Sequence, residues 1–93
     1  MYICIDMQPE FIFSQSASKH GIAKVDIIWA FDNYVYDSVY ECGAAASEDK
    51  HLLIGYDINA NLLEIMYNMI DDGVFRIFHA MKCRNIYKNL LDM

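Results

Sequence analysis

From about residue 34 to residue 81 the chain alternates its side chains with a period of two, and turn residues interrupt it. That period belongs to β-strands, whose successive side chains leave opposite faces. Tyr34, Tyr36 and Tyr40 share one face of a first predicted strand, opposite Val35, Asp37, Val39 and Glu41. Residues 51–58 form a second, with Leu52, Ile54, Tyr56 and Ile58 on one side. Residues 62–70 and 74–81 are the third and fourth. Asn59-Ala60-Asn61 and Asp71-Asp72-Gly73 read as hairpin turns, because Asn and Gly tolerate positive φ. Residues 43–49, Gly followed by three Ala and Ser-Glu-Asp, read as a mobile loop.

The flanks follow a different rule. Pro9 and Glu10 suit the first turn of a helix, and Gly21 suits its stop, so a helix is predicted over residues 9–20. Val25, Ile28, Trp29 and Phe31 predict a second over 24–32. Residues 1–7 are β-prone, a short strand or a loosely attached end. Cys83, Ile86, Tyr87, Leu90 and Leu91 fall at i, i+3, i+4, i+7 and i+8, which predicts a helix over 83–91. The expectation is one α+β domain over residues 1–93. It has two N-terminal helices, a four-stranded antiparallel β-meander and a C-terminal helix, with the helices on one face of the sheet.

Charge divides the chain unevenly. The net charge is -6, which excludes a general nucleic-acid coat protein. Residues 74–91 nevertheless hold Arg76, Lys82, Arg84 and Lys88 and no acid. Such a segment can mark a surface that meets an anion: nucleic acid, a phosphate or an acidic partner protein. Cys4, Cys42 and Cys83 lack zinc spacing, and with no secretory signal in view they fit buried thiols in a reducing cytoplasm. No apolar run reaches the roughly 18 residues of a membrane span.

Three local motifs, in order, carry a family resemblance: Lys19-His20-Gly21-Ile22; His51-Leu-Leu-Ile-Gly55 leading to Leu62-Leu-Glu-Ile-Met66; and Phe75-Arg-Ile-Phe-His-Ala-Met81 leading to Arg84 and Tyr87. Over about residues 9–91 the chain resembles the BrnT-like toxins of bacterial toxin–antitoxin systems, which share the RelE-like ribonuclease fold. Met81 stands where that family's last strand carries Arg. The resemblance implies an endoribonuclease that needs no metal or other cofactor. It implies RNA and an antitoxin protein as partners and no membrane; a homo-oligomer is left open.

Cleavage by a 2′-hydroxyl needs a base, an acid and cations at the phosphate. Among the groups eligible for this by the resemblance, Lys19, His20, His79 and Arg84 are the candidate catalytic residues. Lys50, His51, Arg76, Lys82 and Lys88 are candidates for RNA binding. Lys19, His20, Arg76, His79 and Arg84 are expected to converge on one concavity.

Plainer roles stand beside each of these. His20 could bond the last carbonyls of a helix, and His79, in line with Phe75, Ile77 and Met81, could be a sheet-face residue. Arg76, in line with Val74, Phe78 and Ala80, could snorkel at an edge. Arg84 and Lys88 could be a solvated helix face, Tyr87 core, and Glu64 a solubilising group on the outer face of its strand. The second function these allow is a non-catalytic interaction module, or a degenerate toxin, that binds a partner protein through the basic strand–helix segment.

Overall fold

The computed structural model describes residues 9–91. Residues 1–7 and the thiol of Cys4 lie outside them. The elements are β1 (Glu10–Phe13), a 3-10 turn (Gln15–Ser18), α1 (Lys24–Asp32), β2 (Tyr34–Glu41), a second 3-10 turn (Ala46–Glu48), β3 (Lys50–Tyr56), β4 (Leu62–Asp71), β5 (Val74–Lys82), α2 (Asn85–Lys88) and a last 3-10 turn (Asn89–Leu91). They build one five-stranded sheet in the order β1-β5-β4-β3-β2.

The expected fold class is therefore wrong. The sheet has five strands and is mixed, because β1 runs parallel to β5. The first predicted helix is absent. Pro9 and Glu10 also suit the start of an edge strand, and Phe11 and Phe13 alternate with Glu10 and Ile12 at strand spacing. The Phe11 ring lies 5.0 Å from that of Phe31 and 5.7 Å from that of Phe75. Glu10 N–H donates to Gly73 O at 2.8 Å and Ser14 N–H to Ile77 O at 2.9 Å. Half-burying two aromatic rings and pairing the backbone outweighs the weak helical preference of this stretch.

The second correction concerns the faces. α1 covers one face, where Ile27 and Ala30 pack with Leu53, Leu63, Ile65, Tyr67, Ile77 and Ala80. The C-terminal segment covers the other, where Tyr87, Leu90 and Leu91 pack on Leu52, Ile54, Met66 and Cys83. Helical segments thus lie on both faces, not one. The central strands β3 and β4 are buried on both sides, which is why Leu52, Leu53 and Ile54 are all inaccessible in sequence. Burial of a side chain such as Ile54 or Ile65 contributes about 1.5–3 kcal/mol.

Smaller boundaries also shift. β3 stops at Tyr56, because Asp57 Oδ1 accepts from the N–H groups of Asn59 and Asn61 and closes an Asx turn. Ala60, not an Asn, takes the positive φ, at 64°. The 43–49 stretch is an ordered turn: Gly43 N–H donates to Asp49 Oδ1 and Ala44 N–H to Glu48 Oε1. The predicted 83–91 helix shrinks to α2 and a 3-10 turn, with Arg84 in extended conformation as its N-cap and Ile86 exposed. Gly73 has φ 70° and makes the tight β4–β5 turn.

Candidate functional site

Glu64 is the centre of the site, and it is 0 % exposed. It sits on β4 opposite Ile54 of β3 and Met81 of β5, on the face that the C-terminal segment covers. Its carboxylate is saturated. Arg84 donates to it from the backbone N–H (2.9 Å), from Nε (3.1 Å to each oxygen) and from Nη2 (2.6 Å). Nε2 of His79 lies 2.9 Å from Oε2. An ionised carboxylate only accepts hydrogen bonds, so Nε2 carries a proton, and the lone pair of the uncharged form of the ring is on Nδ1.

These contacts set the charge state. Burial pushes the Glu64 carboxyl up, but the hydrogen bonds from Arg84 and His79 outweigh it and hold the group below its ordinary value of 4.5. Hydrogen bonding to Glu64 in turn raises Arg84 above its already high value. Beside them, burial pushes the Cys83 thiol up, so it is a poor nucleophile. Arg84 also lies over the Tyr87 ring at 5.3 Å, which gives Tyr87 a contact with the site as well as a place in the core.

A β-bulge brings His79 into this group. Ile77 pairs with Tyr67, and His79 pairs with the next residue along β4, Met66, so Phe78 is the extra residue of β5. The strict alternation that groups His79 with Phe75 and Ile77 therefore fails. Beyond Phe78 the faces exchange: Arg76, His79 and Met81 lie on the Glu64 face, and Phe75, Ile77 and Ala80 on the α1 face. Bulges commonly redirect a side chain in this way.

His20 arrives from the other end of the chain. After β1 the Gln15–Ser18 turn runs along the edge of β5, and Gly21, at φ 75°, reverses the chain into α1. The His20 and His79 rings meet edge to face, 5.6 Å apart at 75°. Expected neighbours from residues 59 positions apart thus stand side by side, with Glu64 and Arg84 behind His79.

The other sequence candidates separate. Lys19 is exposed beside His20, with no carboxylate partner among the described residues. Arg76 shares the His79 face, but its Nη1 is bound to Asn68 Oδ1 at 3.2 Å. Lys50 pairs with Glu41 at 3.4 Å. His51 is on the opposite face, stacked at 4.6 Å on Tyr67, whose hydroxyl donates to Asp37. Lys82 pairs with Leu63 on the α1 side, and Lys88 is exposed in the last turn of α2. Of the five residues expected to converge, His20 meets His79 directly and Arg84 joins His79 through Glu64; the candidates for RNA binding are divided between the two faces of the sheet.

Glu64 is the residue that sequence reasoning missed. Its signal was an acid inside the run Leu62-Leu63-Glu64-Ile65-Met66. Among the described residues no three His, Cys, Asp or Glu side chains are arranged to hold a metal ion; the lone pairs of Glu64 are already taken by Arg84 and His79. No helix among the described residues is long and apolar enough to cross a membrane. Comparison with protein-family models, with curated proteins and with solved structures finds no match to this chain.

Proposed function

We propose that this chain cleaves RNA by proton transfer at His79 and His20, as the toxin partner of a toxin–antitoxin pair. The observation that carries the reading is the edge contact of the two imidazoles over a buried carboxylate–guanidinium pair. Imidazole is the side chain best suited to moving protons at physiological pH. Nδ1 of His79 takes the 2′-hydroxyl proton as the oxygen attacks phosphorus. His20, protonated, returns a proton to the leaving 5′-oxygen. The products are a cyclic phosphate and a free hydroxyl, so atoms and protons balance with no added co-reactant. Glu64 fixes the tautomer and orientation of His79. Arg84, whose Nη1 has no partner among the described residues, supplies a donor for the phosphate as its charge grows.

The resemblance of the Lys19-His20-Gly21 and His79-Ala80-Met81 motifs to toxin sequences supports this reading; the fold expected from it does not. An antitoxin is the proposed protein partner, and the cytoplasm the proposed compartment. The exposed Cys42 and buried Cys83 thiols fit a reducing environment.

One observation favours a non-catalytic module instead. Nε and Nη2 of Arg84 are spent on Glu64, so the pair serves to hold the C-terminal segment on the sheet even if no RNA binds. Incubating purified chain with single-stranded RNA decides between them. Fragments ending in cyclic phosphate, lost in His79→Ala, are expected; intact RNA beside a folded protein would leave the module.

A further inference from the structure

We propose that a cavity on the α1 side of the 14–21 segment is a nucleotide subsite for an RNA strand, taking one base against Phe13 and its phosphate at Lys24. The cavity holds about 250 Å³ between the Gln15–Ser18 turn and the start of α1. Its floor is apolar, from Phe13, Ala17 and Ile27, and Gln15, Ser18 and Lys24 supply polar groups around it. An apolar floor with a few placed polar groups is the usual form of a small-molecule site. Sites for drug-sized ligands run from roughly 300 Å³ upward, so this one fits a single ring system and not a dinucleotide.

The ligand class follows from two groups that lie together. The Lys24 ammonium lies over the half-buried Phe13 ring, 5.2 Å from its centroid. A flat π-system joined to an anion engages both: the anion draws the flexible Lys24 ammonium off the Phe13 face, and the ring stacks in the place it leaves. Inorganic anions use only the ammonium, and neutral aromatics only the ring. A nucleotide combines the two.

The location ties this cavity to the proposed reaction. One side of the 14–21 segment lines the cavity through Ser14, Ala17 and Ser18. The other touches β5, where Ser16 bonds Phe78 O and His20 meets His79. A strand with one base in the cavity would pass over the segment that carries His20. The RNA part of the inference rests on the ribonuclease reading; nucleotide binding does not.

The test is an NMR titration of the full chain with the four nucleoside 3′-monophosphates, ribose 5-phosphate, inorganic phosphate and a 2′-O-methyl tetranucleotide that cannot be cleaved. Nucleotides are expected to shift amides of residues 13–27 saturably, and the two sugar or phosphate probes to bind at least tenfold more weakly. Phe13→Leu should weaken nucleotides on the order of tenfold and spare phosphate; Lys24→Gln should weaken both. The tetranucleotide should bind more tightly than any mononucleotide. Absence of saturable shifts, equal binding of phosphate, or unchanged binding in both variants overturns the site. A tetranucleotide no tighter than a mononucleotide overturns its assignment to an RNA strand in favour of a free nucleotide. Nucleotide binding without RNA cleavage would keep the site and remove the ribonuclease; cleavage without shifts at 13–27 would do the reverse.

Discussion

Ser16 Oγ donates a 2.7 Å hydrogen bond to the backbone carbonyl of Phe78, the residue of β5 that the bulge leaves without a partner on β4. The bond fastens the segment carrying His20 to the irregularity that turns His79 onto the Glu64 face. Beside it the Ser14 N–H bond to Ile77 O (2.9 Å) ties the same segment to β5, so the two histidines, distant in sequence, are held together at the bulge.

Ser16→Ala should remove the hydroxyl bond to Phe78. A neutral hydrogen bond of this kind contributes about 0.5–1.5 kcal/mol, so the urea midpoint should fall modestly. The larger effect is local: the ring signals of His20 and His79 should both move in the NMR spectrum, and the His51 ring, stacked on Tyr67 across the sheet, should not. Unchanged His20 and His79 signals would show that the bulge holds without the serine.

Stability should depend on acid through Glu64. Its folded value lies below the ordinary 4.5, so the folded state binds fewer protons than the unfolded chain over that interval. The contribution is complete above about 4.5 and is lost as pH falls through the lower folded value. Thermal midpoints should drop from pH 5 downward, and Glu64→Leu should flatten that drop. Its stability at pH 7 should fall, since the backbone N–H, Nε and Nη2 of Arg84 all lose their acceptor and only replacement of a whole buried pair is often neutral. Arg84, 46 % exposed in its side chain, is left able to reach water. The reverse variant, Arg84→Ala, strands the buried carboxylate and should destabilise the fold and raise the value for Glu64.

Much of the sheet is legible in the sequence and its lid is not. Gly73 marks the β4–β5 turn, and alternation marks β2 through β5, because those signals are local. Three things were beyond local rules. Phe11 belongs to a strand because Phe31 and Phe75 are there to receive its ring. Glu64 looks solvent-facing until Tyr87, Leu90 and Leu91 fold over its side of the sheet. His79 changes face because of one extra residue, Phe78. Of the candidate site, His20, His79 and Arg84 could be chosen from residue type and motif. Their common anchor could not, because it comes from tertiary burial.

Gly55 should tolerate no side chain. A Cβ there would lie 2.2 Å from the carbonyl oxygen of Ala30 in α1 and 2.9 Å from its carbon. Both are backbone atoms, so relief requires moving α1 off β3. Gly55→Ala should cost about 1–3 kcal/mol or more as overpacking, read as a lower denaturant midpoint. Gly73→Ala offers a contrast. No atom lies within 4 Å of a Cβ there, and only its φ of 70° penalises it. It should cost less, on the order of 1 kcal/mol. Equal losses at the two sites would mean that α1 does not press on the sheet as described.

The two histidines should separate binding from chemistry. His79→Ala removes the proposed base but leaves Arg84 on Glu64 through four contacts, so the fold and RNA affinity should persist while cleavage falls on the order of 10²–10⁴-fold. His20 is exposed and holds no structural hydrogen bond among the described residues, so His20→Ala should be thermally silent. Its cleavage should fall too, and the double variant should be little worse than either single one, because residues acting as a unit do not add. The pH profile supplies a second check. With both imidazoles the rate should pass through a maximum, one limb for the base and one for the acid, and His20→Ala should erase the alkaline limb. A profile unchanged by either substitution, in proteins whose folds are intact, would assign the His20–His79 contact to packing and leave Glu64 and Arg84 as the clasp of the C-terminal segment.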